Sequence, residues 1–143
     1  MTENQAQVRA SGRCLCGAVR FTIRGPLRPT AVACHCTSCR RFTGGLWVGT
    51  CAHREHVHIE RGDTLTWFRS SPDAKRAFCG RCGSSLFWEP IDTGRVSIAA
   101  GCLDGPTGLR TVRHIFVNDK GDYYEIADGL EQLSGSMVDA PPS

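Results

Sequence analysis

Seven of the nine cysteines in this 143-residue chain fall into three tight groups: Cys14 and Cys16; Cys34, Cys36 and Cys39; and Cys79 and Cys82. Thiols at one- and two-residue intervals are the spacing of metal ligands, and zinc is the metal that favours all-sulfur sets. Seven is also an informative number. A closed tetrahedral zinc site takes four thiolates, whereas an open one takes three and leaves a position for water or substrate.

Residues 1–12 (MTENQAQVRASG) are polar and hold no apolar run suited to a secretory leader, and no later stretch approaches a membrane span in length. The expectation is a cytoplasmic protein with no membrane partner, in a compartment where thiols stay reduced and clustered cysteines bind metal rather than pair as disulfides. The formal net charge is +3. Seven zinc-bound thiolates and two divalent ions together contribute −3, so the metal-loaded chain is about neutral. That argues against a nucleic-acid partner, which calls for a net basic face.

The length suits one domain. We read residues 1–11 as an N-terminal tail, residues 12–133 as the zinc-binding domain, and residues 134–143, small, polar and proline-containing, as a flexible C-terminal tail. Short runs rich in β-branched and aromatic residues, at 18–23, 46–51, 56–60, 64–68, 85–88, 96–100 and 113–117, read as strands. Gly, Pro and Asp punctuate them, as at Gly25-Pro26 and Gly105-Pro106. The expected fold is mainly β, small and antiparallel, with little helix. The one helical turn expected covers residues 37–42, stopped by Gly44-Gly45.

If Cys14 and Cys16 lie on an extended strand, their side chains share a face and Leu15 takes the other. Cys79-Gly80-Arg81-Cys82-Gly83 is a CxxC knuckle in which Gly83 can adopt positive φ. Together the two pairs make a four-cysteine structural site. The middle group, Cys34-His35-Cys36-Thr37-Ser38-Cys39, offers three sulfurs within six residues, the arrangement of a reactive metal with an open position. By alternation His35 points away from that metal. The competing reading is a second structural site, closed by Cys51, Cys102, His53, His56, His58 or His114. Cys51 and Cys102 otherwise read as small buried apolar groups, and Trp47, Trp67 and Trp88 as core or pocket residues. Arg40, Arg41, Lys75, Arg76 and Arg81 lie close in sequence to the thiols, placed to neutralise a zinc–thiolate centre or to bind a substrate carboxylate.

With these groups in place, the chain resembles the glutathione-dependent formaldehyde-activating enzymes, whose wider relatives include centromere protein V. The likeness is carried by Gly12-Arg13-Cys14-Leu15-Cys16-Gly17-Ala18-Val19, Cys34-His35-Cys36-Thr37-Ser38-Cys39-Arg40, Phe78-Cys79-Gly80-Arg81-Cys82-Gly83-Ser84-Ser85-Leu86 and Ile98-Ala99-Ala100-Gly101. His114-Ile115-Phe116-Val117 and Glu125-Ile126-Ala127-Asp128-Gly129-Leu130 extend it. The resemblance implies a zinc-stapled β-tent fold. It implies two zinc ions per chain, one structural on Cys14, Cys16, Cys79 and Cys82, and one at the reactive site on Cys34, Cys36 and Cys39. It implies a carbon–sulfur lyase whose partners are a thiol such as glutathione and an aldehyde, the namesake product being S-(hydroxymethyl)glutathione. The alternative function is a non-catalytic zinc-stapled module that binds protein or nucleic acid. Cys102 departs from the small hydroxyl residue expected at its place in the family pattern.

Overall fold

A computed structural model describes residues 7–135. Much of the expected tails, at residues 1–6 and 136–143, therefore lies outside the described residues. Among the described residues, eleven strands form two sheets and one α-helix accompanies them. The smaller has the order β1-β2-β5, with β1 over Ala10–Arg13, β2 over Arg20–Ile23 and β5 over Val57–Arg61. The larger has eight strands in the order β11-β10-β3-β4-β9-β8-β7-β6. These are β3 at Thr30–Cys34, β4 at Trp47–His53, β6 at Leu65–Ser71, β7 at Ala74–Cys79, β8 at Ser85–Pro90, β9 at Arg95–Ala99, β10 at Arg110–Ile115 and β11 at Glu131–Gln132.

The mainly β expectation holds, with two differences. At one end of the large sheet β10 runs parallel to both β3 and β11, while the remaining pairings are antiparallel. In addition, β1, β3 and β7 lie outside the runs read as strands, and β1 begins inside the segment read as tail.

Period-2 alternation divides each strand of the large sheet between two environments. From β9, Val96 and Ile98 turn inward to meet Phe21 and Ile23 of β2 and Phe87 of β8, all buried. Phe21 and Phe87 meet edge to face at 5.0 Å, an arrangement aromatic quadrupoles favour. On the opposite face a second cluster forms around Cys34, Cys39 and Trp47, with Phe42, Trp88, Ile115 and Phe116 packed against it. That second face carries the site.

The helix, α1, spans Thr37–Thr43. Its N-cap is Cys36, whose sulfur accepts the Cys39 N–H at 3.3 Å, so a cysteine stands where Ser or Asp normally satisfies an orphan donor. It stops at Gly44, left-handed at φ 82°, whose N–H returns to the Arg40 carbonyl. Arg40 and Arg41 in the last turn complement the helix dipole.

Candidate metal centres and the cavity beside them

Two cysteine groups converge, each with all its sulfurs within 4.8 Å of one another: Cys14, Cys16, Cys79 and Cys82 in one, and Cys34, Cys36 and Cys39 in the other.

The quartet joins the turn after β1 to the turn after β7. Here the strand expectation for Cys14 and Cys16 is corrected: β1 ends at Arg13, and Cys14 to Cys16 form a tight turn in which Gly17 takes φ 80°. The turn substitutes for the strand because it lets backbone N–H groups face the sulfurs. Val19 N–H donates to Cys14 Sγ at 3.2 Å, and Arg81 and Cys82 N–H both donate to Cys79 Sγ at 3.4 Å. Gly83 takes the positive φ expected of it, 81°. The sulfurs of Cys14 and Cys16 lie 3.6 Å apart and those of Cys16 and Cys79 3.8 Å. A tetrahedron with zinc–sulfur bonds of about 2.3 Å has edges of about 3.8 Å, so the quartet fits zinc. The Ser84 hydroxyl, 3.2 Å from Cys82 Sγ, is the leading cause that holds the Cys82 thiol down to about 5.

The trio is assembled from the end of β3, the residue that caps α1, and the first turn of that helix. Hydrogen bonds from Cys34 and then Cys39 hold Cys36 far below the ordinary thiol range, and the Cys39 N–H and the charge of Arg76 act in the same direction. The same sharing, with burial, pushes Cys34 up. Three convergent soft donors, one already disposed to be a thiolate, suit a zinc ion.

Among the described residues no fourth Cys, His, Asp or Glu joins the trio. His53 and His56 face each other edge to face where β4 ends and β5 begins, and His58 lies on β5 in the smaller sheet. Cys102 is turned toward the Ala99 carbonyl at 3.1 Å, and burial pushes its thiol up to about 12. Cys51 lies on the face of β4 that Trp47 shares.

The trio opens instead on a cavity of about 510 Å3. Cys34, Cys36 and Cys39 are at one part of its lining; Trp47, Trp88, Ile115 and Phe116 supply apolar wall, and Arg28, Arg76 and Arg95 supply cations. Trp47 lies across its own strand, its indole N–H donating to Ser97 Oγ at 3.1 Å. Gly49 permits this, because a methyl there would overlap the indole nitrogen.

His35 is buried and engaged away from the trio. Its Nδ1 shares a hydrogen bond with the Tyr124 hydroxyl, and its Nε2 shares one with His114 Nδ1 at 2.8 Å. His114 Nε2–H in turn donates to Asp128 at 2.8 Å. Burial, then the neighbouring His114, lowers His35. This chain of four polar groups behind the cysteine loop was not legible in the sequence: His35, His114 and Asp128 stand in segments that carry the family resemblance, but nothing linked them to one another, and Tyr124 carried no signal of its own.

Comparison with known proteins adds a family. The model of the glutathione-dependent formaldehyde-activating enzyme family matches residues 9–119. The chain belongs to that family. A Halomonas elongata protein named provisionally as a glutathione-dependent formaldehyde-activating enzyme is 27% identical over 124 residues, covering 80% of this chain and 79% of its own. A Schizosaccharomyces pombe protein named as an uncharacterised lyase is 25% identical over 129 residues, covering 89% and 92%. The crystal structure of a Rhodobacter sphaeroides protein superposes with a TM-score of 0.58 at 25% identity, covering 71% of this chain and 99% of that one. The family is an enzymatic one. Among the described residues no helix is long and apolar enough to cross a membrane.

Proposed function

We propose that this family member is a zinc-dependent carbon–sulfur lyase. It joins a thiol such as glutathione to formaldehyde, giving S-(hydroxymethyl)glutathione, or acts on a related thiol–aldehyde adduct. The observation that carries the proposal is the contrast between the two cysteine groups. The quartet is complete in itself, whereas the trio faces a cavity large enough for a small molecule.

Cys14, Cys16, Cys79 and Cys82 hold a structural zinc that ties β1 to β7. Cys34, Cys36 and Cys39 hold a second. A zinc ion there supplies a depressed thiol pKa to a sulfur ligand and Lewis acidity to an oxygen ligand; a sulfur-rich donor set favours the former. In the forward direction the thiol sulfur bonds to the carbonyl carbon, the carbonyl π pair moves to oxygen, and the proton lost by the thiol ends on that oxygen. The reverse step breaks the same carbon–sulfur bond, with no redox change. The chain's own contribution is placement. Trp47, Trp88 and Phe116 give the reacting atoms an apolar wall, and the Tyr124–His35–His114–Asp128 chain fixes the backbone between Cys34 and Cys36.

The decisive test is Cys36→Ser in metal-replete protein, assayed for S-(hydroxymethyl)glutathione by NMR. Turnover should fall by about two orders of magnitude or more. Unchanged turnover would remove the trio from the reaction.

A further inference from the structure

We propose that Arg76 is the positioning residue that makes the open position beside the trio selective for an anionic sulfur ligand over a neutral donor. This rests on the reading that the trio holds a metal.

The argument begins with sheet register. Arg76 on β7 pairs with Trp88 on β8, while Lys75 pairs with Glu89. Alternation then sends Arg76 and Trp88 to the cavity face and Lys75 and Glu89 to the other. Glu89 is accordingly paired with Lys75 and Arg54, at 3.6 and 3.8 Å. Among the described residues no carboxylate pairs with Arg76. It is nevertheless only 6% exposed, its Nε lacks a hydrogen-bond partner, and its guanidinium carbon lies 5.3 Å from the centre of the Phe42 ring.

A guanidinium cannot shed its proton, so burying it without an anion is unfavourable. What meets it is a thiol that can become anionic: Arg76 Nη1 lies 3.6 Å from Cys39 Sγ. The charge count follows. Three thiolates and a divalent ion total −1, and Arg76 brings the centre to zero. A fourth, exogenous thiolate then makes −1, whereas without Arg76 the four thiolates and the ion would carry −2; Arg28 and Arg95 also line the cavity, but it is Arg76 that reaches a sulfur of the trio. Arg76 therefore removes much of the electrostatic penalty on an incoming thiolate and gives no advantage to a neutral ligand. Of the five basic residues near the cysteines in sequence, it is the one the fold directs at the trio.

The test measures binding rather than turnover. Cobalt-loaded wild type, Arg76→Met and Arg76→Lys are titrated with 2-mercaptoethanol, a thiol with no charge other than the one its sulfur acquires, and separately with imidazole as a neutral donor. Binding is followed by the visible and near-ultraviolet cobalt bands, and near-ultraviolet circular dichroism verifies the fold. Arg76→Met should weaken thiol binding at least about tenfold, the scale of a single charge interaction near a protein site. Imidazole binding should be unchanged, and Arg76→Lys should restore thiol binding to within about threefold. Equal loss for both ligands, no loss for the thiol, or failure of lysine to restore it would each overturn the proposal. Should Arg76→Met not fold, Arg76→Gln replaces it. The wild type itself supplies a further condition: thiol binding must release a proton to a weak buffer, and binding without release overturns the proposal. Thiol binding that depends on Arg76 without lyase turnover would sink the proposed reaction and leave this inference standing.

Discussion

A methyl group added to Gly12 would overlap both the Phe21 ring and the backbone carbonyl of Cys102. The site is tight because Gly12 bridges to Leu103 while Phe21 fills the core beneath it. Gly12→Ala should therefore cost about 2 kcal/mol of stability, read from a urea unfolding midpoint, since a backbone obstacle cannot be swung aside. A second residue-scale prediction concerns the polar chain behind the trio. His114→Ala strips His35 and Asp128 of a partner at once and should cost about 1–3 kcal/mol, the penalty for unmade buried hydrogen bonds. Stability equal to wild type would show that these groups find water instead. The Ser84 hydroxyl sets up a third. The depressed Cys82 thiol contributes stability that is fully present above its unfolded value, near 9, and is lost as pH falls through about 5. Metal binding acts in the same sense, because the ligand is the thiolate. Ser84→Ala weakens that depression, so zinc release, followed with a colorimetric chelator, should begin at higher pH than in wild type.

The short helix α1 shows which elements are legible from a sequence. Its beginning after Cys36 and its stop at Gly44 rest on local rules of capping and left-handed backbone, and both stand where the residues put them. A Cβ at Gly44 would meet nothing within 4 Å, so Gly44→Ala isolates the cost of φ 82°, about 1 kcal/mol, measurable as a lowered Tm. Strand β7 shows the opposite. Lys75 and Arg76 side by side interrupt any apolar alternation, and the buried Arg76 meets a cysteine from 37 residues away and the Phe42 ring. Strand β1, Ala-Ser-Gly-Arg, has no β-former at all and is held by its pairing with β2. The shift of β10 to Arg110–Ile115 is likewise a tertiary effect: Phe116 leaves the strand in the left-handed region, φ 56°, and turns into the cavity wall. For a bulky residue that conformation is costly and is sustained only by surrounding structure.

At the scale of the whole molecule, the two cysteine groups should differ in what their loss does. The quartet ties turns that are 63 residues apart, so metal-binding free energy there is folding free energy. Cys82→Ser should unfold the protein or lower its Tm far more than Cys36→Ser does. Differential scanning calorimetry of the two variants, each analysed for metal content, measures this; equal Tm values would contradict the division of roles. Spacing alone pointed to seven thiols able to hold metal and suggested four and three, because CxC and CxxC reach is a local property of the chain. Only the tertiary structure decided that no described residue completes the trio, that the opening faces an apolar cavity, and that a guanidinium from β7 stands beside it. Those are relations between strands distant in sequence, fixed by register and by which face each side chain takes, and no local spacing contains them.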